Sequence, residues 1–220
     1  MPDAPTDRAR VHRLPERAAY DRDTIEAILD EALICHVAWT DGEGRARALP
    51  TIHARVGDTL YLHGSRAARA WRAVAGGAEV CVVATIVDAL VLARSAFHHS
   101  MNYRSVVLYG HGREVTDADE LVTAARAITY HVLPGREAEA RMPTADEFKQ
   151  TILFAIPIAE ASAKVRTGPP KDDGADLELP IWAGLLPLET GTGAPESSPD
   201  LLHGIEVPSY IARPHRPSAS

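Results

Sequence analysis

RARALPTIHARVGDTLYLHGSRAARAW, residues 45–71, is the stretch whose reading decides the fold. Residues 46–56 and 59–63 have strand character on either side of Gly57-Asp58, the composition of a tight hairpin turn. The second strand runs into His63-Gly64-Ser65-Arg66-Ala67-Ala68-Arg69 and then into an alanine-rich helix. A glycine lets backbone come close to a ligand, and a serine either caps a helix or offers its hydroxyl to a phosphate. Arg66 and Arg69, three residues apart, would share one helical face. Free N–H groups, the positive end of the helix dipole and two guanidinium forks would then converge on a volume that suits a phosphate. The competing reading is an ordinary helix flanked by solvated arginines. Neither a Walker-type lysine loop nor G-x-G-x-x-G follows a strand, so a mononucleotide is expected in preference to a nucleoside triphosphate or a dinucleotide.

The chain has 220 residues, 45% of them hydrophobic, which is enough for one well-buried core without staples. Its net charge of -7 argues against general nucleic-acid binding. No run is long enough to span a membrane, and MPDAPTDRARVHRLPER lacks the apolar centre of a signal peptide, so a cytoplasmic protein is expected. Cys35 and Cys81 sit in ICHVAW and EVCVVATIV, settings of buried, reduced thiols.

Residues 1–20 read as a flexible, proline-containing arm. A helix starts at Asp23, with Glu26 returning the capping bond and Ile25, Ile28, Leu29, Ala32 and Leu33 as its apolar stripe. Strand character follows at 34–40, 46–56, 59–63, 79–86, 89–94 and 105–115, with Asp41-Gly42 as a further turn. A second helix covers 119–132, opened by Thr116 or Asp117, and a shorter one follows Thr144 with Glu147 completing a capping box. Residues 152–166 return to strand, where Pro157 favours an edge or a bulge. Residues 21–167 thus make one domain. Residues 168–220, rich in Pro, Gly, Asp and Ser, are expected to be an irregular tail, packed in part through Ile181-Trp182 and Leu185-Leu186 and disordered at its end. So many strands with so few helices between them exclude a doubly wound parallel sheet and favour a mainly β fold, an antiparallel barrel with peripheral helices.

Taken in order, the Asp41-Gly42 turn, Arg47-Ala48-Leu49-Pro50, Leu60-Tyr61-Leu62-His63-Gly64, Arg69 and Asn102-Tyr103-Arg104-Ser105-Val106-Val107 with Gly110 resemble the FMN-binding split-barrel superfamily over residues 22–166. Within it they are most similar to the pyridoxamine 5'-phosphate oxidase-like branch that includes nitroimidazole-resistance reductases. The resemblance implies a six-stranded antiparallel split β-barrel, a homodimer, and FMN at two sites in the subunit interface. It implies that Arg47, Ala48, Leu49, Pro50 and Thr51 lie along the isoalloxazine and ribityl groups. His63, Gly64, Ser65, Arg66 and Arg69 would hold the 5'-phosphate, and Ser105 would reach the flavin of the partner subunit. The implied function is that of an FMN-dependent oxidoreductase: a nicotinamide or another reductant reduces the flavin, which passes electrons to a small electrophile or to oxygen. No side chain need act as a nucleophile. A flavin- or haem-binding carrier or sensor and a deazaflavin-dependent reductase are the alternatives.

Enzymes that oxidise pyridoxamine phosphate usually carry Ser-Arg-Lys in this loop and a basic, aromatic C-terminal strand. Here Ser65-Arg66 is followed by Ala67 and the tail reads LPIWAGLLPLETGTGAPE, so vitamin B6 oxidation is not expected. His53, His98, Tyr103 and Trp182 are expected in the wall of the flavin pocket. His53, His63, His98, His99 and His111 show neither Cys-x-x-Cys nor His-Glu-x-x-His spacing, so no metal site is expected.

Overall fold

Val80, Val82, Val83, Ile86, Val87 and Val91 crowd one stretch of sequence, and β-branched side chains at that density favour extended chain. In the computed structural model, which describes residues 3–212 and Pro214, that stretch is the longest strand, β6 (Glu79–Leu92). Ahead of it come β1 (Ala18–Ala19), helix α1 (Arg22–Glu31), β2 (Cys35–Thr40), β3 (Ala46–Thr51), β4 (His53–Val56), β5 (Thr59–Ser65) and α2 (Arg69–Ala75). After it come β7 (Ser100–His111), β8 (Arg113–Glu114), α3 (Ala118–Val132), α4 (Arg136–Glu139), α5 (Ala145–Gln150), β9 (Thr151–Pro157), β10 (Glu160–Arg166), β11 (Gly184–Pro187) and α6 (Ser209–Ala212).

Every strand pairing is antiparallel. A seven-stranded sheet runs β1-β10-β7-β6-β2-β3 with β11 added to β6, and a four-stranded sheet runs β4-β5-β9-β8. The mainly β, antiparallel architecture with peripheral helices is the one expected. The sheets hold seven and four strands rather than six, and two of the seven, β1 and β11, come from the segments read as arm and tail. Residues of the arm also dock: Ala9 is buried, and Arg8 donates from Nε to Glu160 at 2.8 Å while lying over the Tyr109 ring. The end of the tail, expected to be disordered, lies outside the described residues.

Three runs read as single strands break where the chain passes between sheets. Residues 46–56 divide at Ile52, so that β3 joins the large sheet and β4 the small one; 105–115 divide at Gly112 between β7 and β8, and 152–166 divide after Pro157 between β9 and β10. The reverse holds for β6, read as two strands. A bulge between Val87 and Ala89 keeps it continuous and flips its parity: Val80, Val82 and Ala84 are buried before it, Ala89, Val91 and Ala93 after it. Helix α1 is capped two residues earlier than expected, Asp21 accepting from the Thr24 amide at 2.9 Å, which leaves Asp23 inside the helix and frees Glu26 to pair with Arg55 at 3.0 Å. The Thr144/Glu147 capping box forms as read.

The main core lies between the sheets, under α1 and α2, and a second cluster joins the small sheet to α3. Trp71 and Phe154 stack within the first, ring centroids 5.6 Å apart. Gly64 makes room for that indole, since a Cβ there would fall 1.7 Å from Trp71 Nε1. Its missing side chain therefore serves packing, not the approach of a ligand. Gly64→Ala is expected to displace Trp71 and cost about 1–3 kcal/mol, the range for overpacking a well-filled core. Urea unfolding checks this, and a variant with an unchanged midpoint would show that the tryptophan has room to spare.

Candidate functional site

The pleat of the large sheet sorts its side chains into two sets. Leu49, Val37, Val82, Leu108 and Ala161 stand in one cross-strand row and pack into the core. The neighbouring rows face the other way: Pro50, His36, Val83, Val107 and Ser162 in one, Ala48, Ala38, Cys81, Tyr109 and Glu160 in the next. This outer face is small and apolar towards β3, its edge, and carries His36, Tyr109 and Glu160 as well. Ala48 and Pro50 point onto it, as does Ser105 in the row of Thr85 and Lys164. Arg47, Leu49 and Thr51 fall on the opposite side, with Leu49 against the core and Arg47 Nε donating to Asp41 at 2.8 Å. Three strand spacings separate β3 from β7, about 14 Å.

The loop after β5 is arranged differently from its sequence reading. The N-cap of α2 is Ala68, with no side-chain cap, and Ser65 Oγ instead accepts from the Ala67 amide at 3.3 Å. Arg66 therefore lies outside the helix and does not share a face with Arg69. Its guanidinium donates to Glu114 at 2.8 Å and to the Lys149 carbonyl at 3.3 Å. Arg69 is exposed and forms no ion pair with any described residue. By strand parity His63 sits on the α3 side of the small sheet with Tyr61, while Gly64 faces Trp71. Burial holds the His63 imidazole below its usual pKa, and its Nδ1 is buried without a hydrogen-bond partner. The phosphate cradle read from the sequence is thus opened out, because the helix starts too late to gather both arginines.

The four wall residues separate as well. His53 is fully buried, donating from Nε2 to the Leu29 carbonyl at 2.8 Å with its ring 4.6 Å from that of His131, so it is a core residue between α1 and α3. Tyr103 pairs with Val87 beside the bulge, His98 lies in the β6–β7 connection and Trp182 just precedes β11. His98, in a 3-10 turn at Ala96–His98, lies 3.2 Å from Asp173, and the ligand atoms of His98, Asp173 and Asp176 are within 4.8 Å of one another. Trp182 covers Gly184 and is 67% exposed. On the same ladder Leu186, Leu90 and Met101 form an exposed apolar row across β11, β6 and β7. Burial pushes the Cys35 thiol up to about 12 and raises that of Cys81, so neither is a thiolate near neutral pH.

Two anchors have no sequence signal, since their partners are far apart in the chain. Arg104 reaches Glu31 at 2.6 Å and Asp88, at the bulge, at 2.7 Å, joining α1 to β6 and β7. Asp172 accepts from the Arg94 amide at 2.9 Å, the Arg94 guanidinium at 3.0 Å and the Ser95 amide at 3.4 Å, fastening the tail to the β6–β7 connection.

A family model described as pyridoxamine 5'-phosphate oxidase matches residues 21–165. Among solved structures, the flavocytochrome Anf3 of Azotobacter vinelandii is 37% identical, with a TM-score of 0.88 over 96% of this chain and 97% of that one. An FAD and haem binding protein of Mycobacterium smegmatis is 35% identical, with a TM-score of 0.83 over 89% of this chain and 95% of its own. A candidate 5-nitroimidazole antibiotic resistance protein of Bacteroides thetaiotaomicron shares the fold at 23% identity, with a TM-score of 0.57 over 67% and 86% of the two chains. No protein of curated function matches the chain. No helix of the described residues is long and apolar enough to cross a membrane.

Burial works to raise the Asp172 carboxyl, but Arg94 and two amide donors outweigh it and hold the pKa below the ordinary 3.8. A depressed carboxylate contributes stability that is present above its unfolded pKa and lost as pH falls through the folded one. The tail is therefore expected to stay docked at neutral pH and to become susceptible to limited proteolysis below about pH 4. Asp172→Ala should show that susceptibility at pH 7. Equal cleavage of variant and wild type would mean that β11 holds the tail unaided.

Proposed function

Because this chain belongs to the pyridoxamine 5'-phosphate oxidase family, we propose that it binds a flavin on the outer face of the large sheet and uses it for redox chemistry, as a homodimer. The observation that carries this reading is the face itself. Towards β3 it is built of small residues, Ala38, Ala48 and Pro50, with Val83 and Val107 behind them, and it ends at an edge strand whose outward peptide groups have no strand partner among the described residues. Such a surface suits a planar tricyclic ring, with Ala48 and Pro50 allowing close approach and the free peptide groups of β3 meeting the polar edge. Ser105 shares the face but lies three strands away, which suits a contact with the flavin of the partner subunit. The exposed row of Leu186, Leu90 and Met101 and the open outer face are the surfaces a second protomer would cover.

When bound, the flavin supplies the electron transfer, and the chain provides binding, orientation and exclusion of water. The relatives at 35–37% identity carry haem beside flavin by their names, and a haem is part of this proposal. His36, exposed on the outer face, offers an imidazole to ligate iron, whereas the unpaired Nδ1 of His63 is buried. FAD suits this chain better than FMN. Ser65 and Arg66 are already engaged by Ala67, Glu114 and Lys149, leaving Arg69 alone in that loop for a terminal phosphate. The reductant we propose is a nicotinamide, and the acceptor a small electrophile or oxygen. Pyridoxamine phosphate is a poor candidate substrate: Ala67 stands where a lysine is usual, and the tail places Leu185 and Leu186 on β6 where cations would be needed.

The purified protein is expected to show flavin and haem absorption, to release a flavin with the mass of FAD, and to scatter light as a dimer at low micromolar concentration. NADH or NADPH should reduce the flavin in stopped flow, while pyridoxal phosphate formation from pyridoxamine phosphate stays negligible. A colourless protein that takes up neither FAD nor FMN overturns the flavin reading. A bound flavin that no nicotinamide reduces would leave a carrier or sensor, and released FMN would return the phosphate to Arg69.

A further inference from the structure

Arg166 ends β10 and is 92% buried, being only 8% exposed, yet among the described residues no carboxylate lies within ion-pairing distance of it. Its two hydrogen-bond acceptors are both neutral and both use Nη1: the side-chain carbonyl of Asn102 and the Gly168 carbonyl, the latter at 3.4 Å. Other buried or half-buried arginines here are neutralised, Arg104 by Glu31 and Asp88, Arg55 by Glu26 and Asp30, Arg94 by Asp172. Arg166 has the opposite surroundings, because a second cation, Arg17, acts on it. Burying an unpaired cation is unfavourable, and structures retain one mainly where something pairs it.

The free edge of the guanidinium says what that something is. With Nη1 committed to Asn102 and Gly168, Nε and Nη2 remain without hydrogen bonds to any described residue, and neither atom is closed off from solvent. These two N–H groups form the side-on fork that holds a carboxylate or a phosphate through two parallel bonds. Tyr103 stands opposite Arg166 in the register, so the two side chains share a face of the sheet. We propose that Arg166, oriented by Asn102 and reinforced by Arg17, is the receptor for an oxyanion, a phosphate or a carboxylate carried by a ligand of this protein.

Burial, with Arg17 adding to it, lowers the Arg166 pKa, and an anion on the free edge would reverse that effect. The site lies at the end of β10 and β7, away from the loop after β5. It does not rest on the flavin reading, since simple anions probe it.

Thermal melts of the protein as purified, at matched ionic strength in chloride, pyrophosphate or succinate, test it with two variants. Wild type should gain about 3–6 °C at tenfold the dissociation constant of the preferred anion, and chloride should do nothing. Pyrophosphate as the better ligand assigns a phosphate, succinate a carboxylate. Arg166→Met should lose the response and, without anion, melt no lower than wild type, because the uncompensated cation is gone. Should it fail to fold, Arg166→Lys, which keeps the charge without the fork, should bind the anion about tenfold more weakly. A wild type indifferent to both anions, or a variant that responds as wild type does, overturns the proposal.

Discussion

The β6–β7 ladder is the constraint to which the rest of the molecule answers. It runs from Glu79 opposite His111 to Val91 opposite Ser100, and over that length the backbone groups facing each other are committed. A strand of 14 residues extends about 45 Å, more than one layer of core covers. The strand is therefore clothed in halves. β2 pairs with Val80 to Val83, and β11 pairs with Ala89 to Leu92 at the other end. The bulge at Asp88 marks the change. Arg104 takes up the Asp88 carboxylate, and the Leu188 amide donates to its carbonyl at 2.9 Å, so the irregularity leaves no buried group unpaired.

Parity along that ladder makes the candidate site. Because side chains alternate, burying Val37, Val82 and Leu108 obliges His36, Val83 and Val107 to face outward. Near β3 that second face carries Ala38, Ala48 and Val83, where an antiparallel sheet that meets water normally carries polar residues, while Glu160 and Lys164 stand on it at β10. Pro50 fits at the edge for the same backbone reason that would exclude it from the centre, since it has no N–H to give a further strand.

The charges are distributed with equal economy. Arg104 and Arg55 each take two carboxylates and tie α1 to the large and the small sheet, interactions worth more than surface pairs because the groups are half-buried. Arg66 pairs with Glu114, whereas Arg69 and the buried Arg166 have no carboxylate partner among the described residues.

Period-2 patterning, turn residues and caps are local properties, and they were readable: the antiparallel β architecture, the Gly57 and Asp41-Gly42 turns, the Asp117 cap of α3, the Thr144/Glu147 box, and the ordered motifs from Arg47 to Ser105 that resemble a split barrel. What the chain does between elements was not. The switch from one sheet to the other at Ile52 leaves the alternation of the sequence nearly undisturbed, and the bulge at Asp88 looks like the gap between two strands. Gly64 reads the same whether it faces a ligand or an indole, and only packing puts Trp71 against it. His53 carries no local mark of its burial against His131. The fate of Arg66 depended on a helix start three residues later than its spacing implied and on Glu114, 48 residues away. Tertiary structure decided these points because each turns on which distant group fills a space or takes a hydrogen bond, and pattern along the chain holds no record of distance across it.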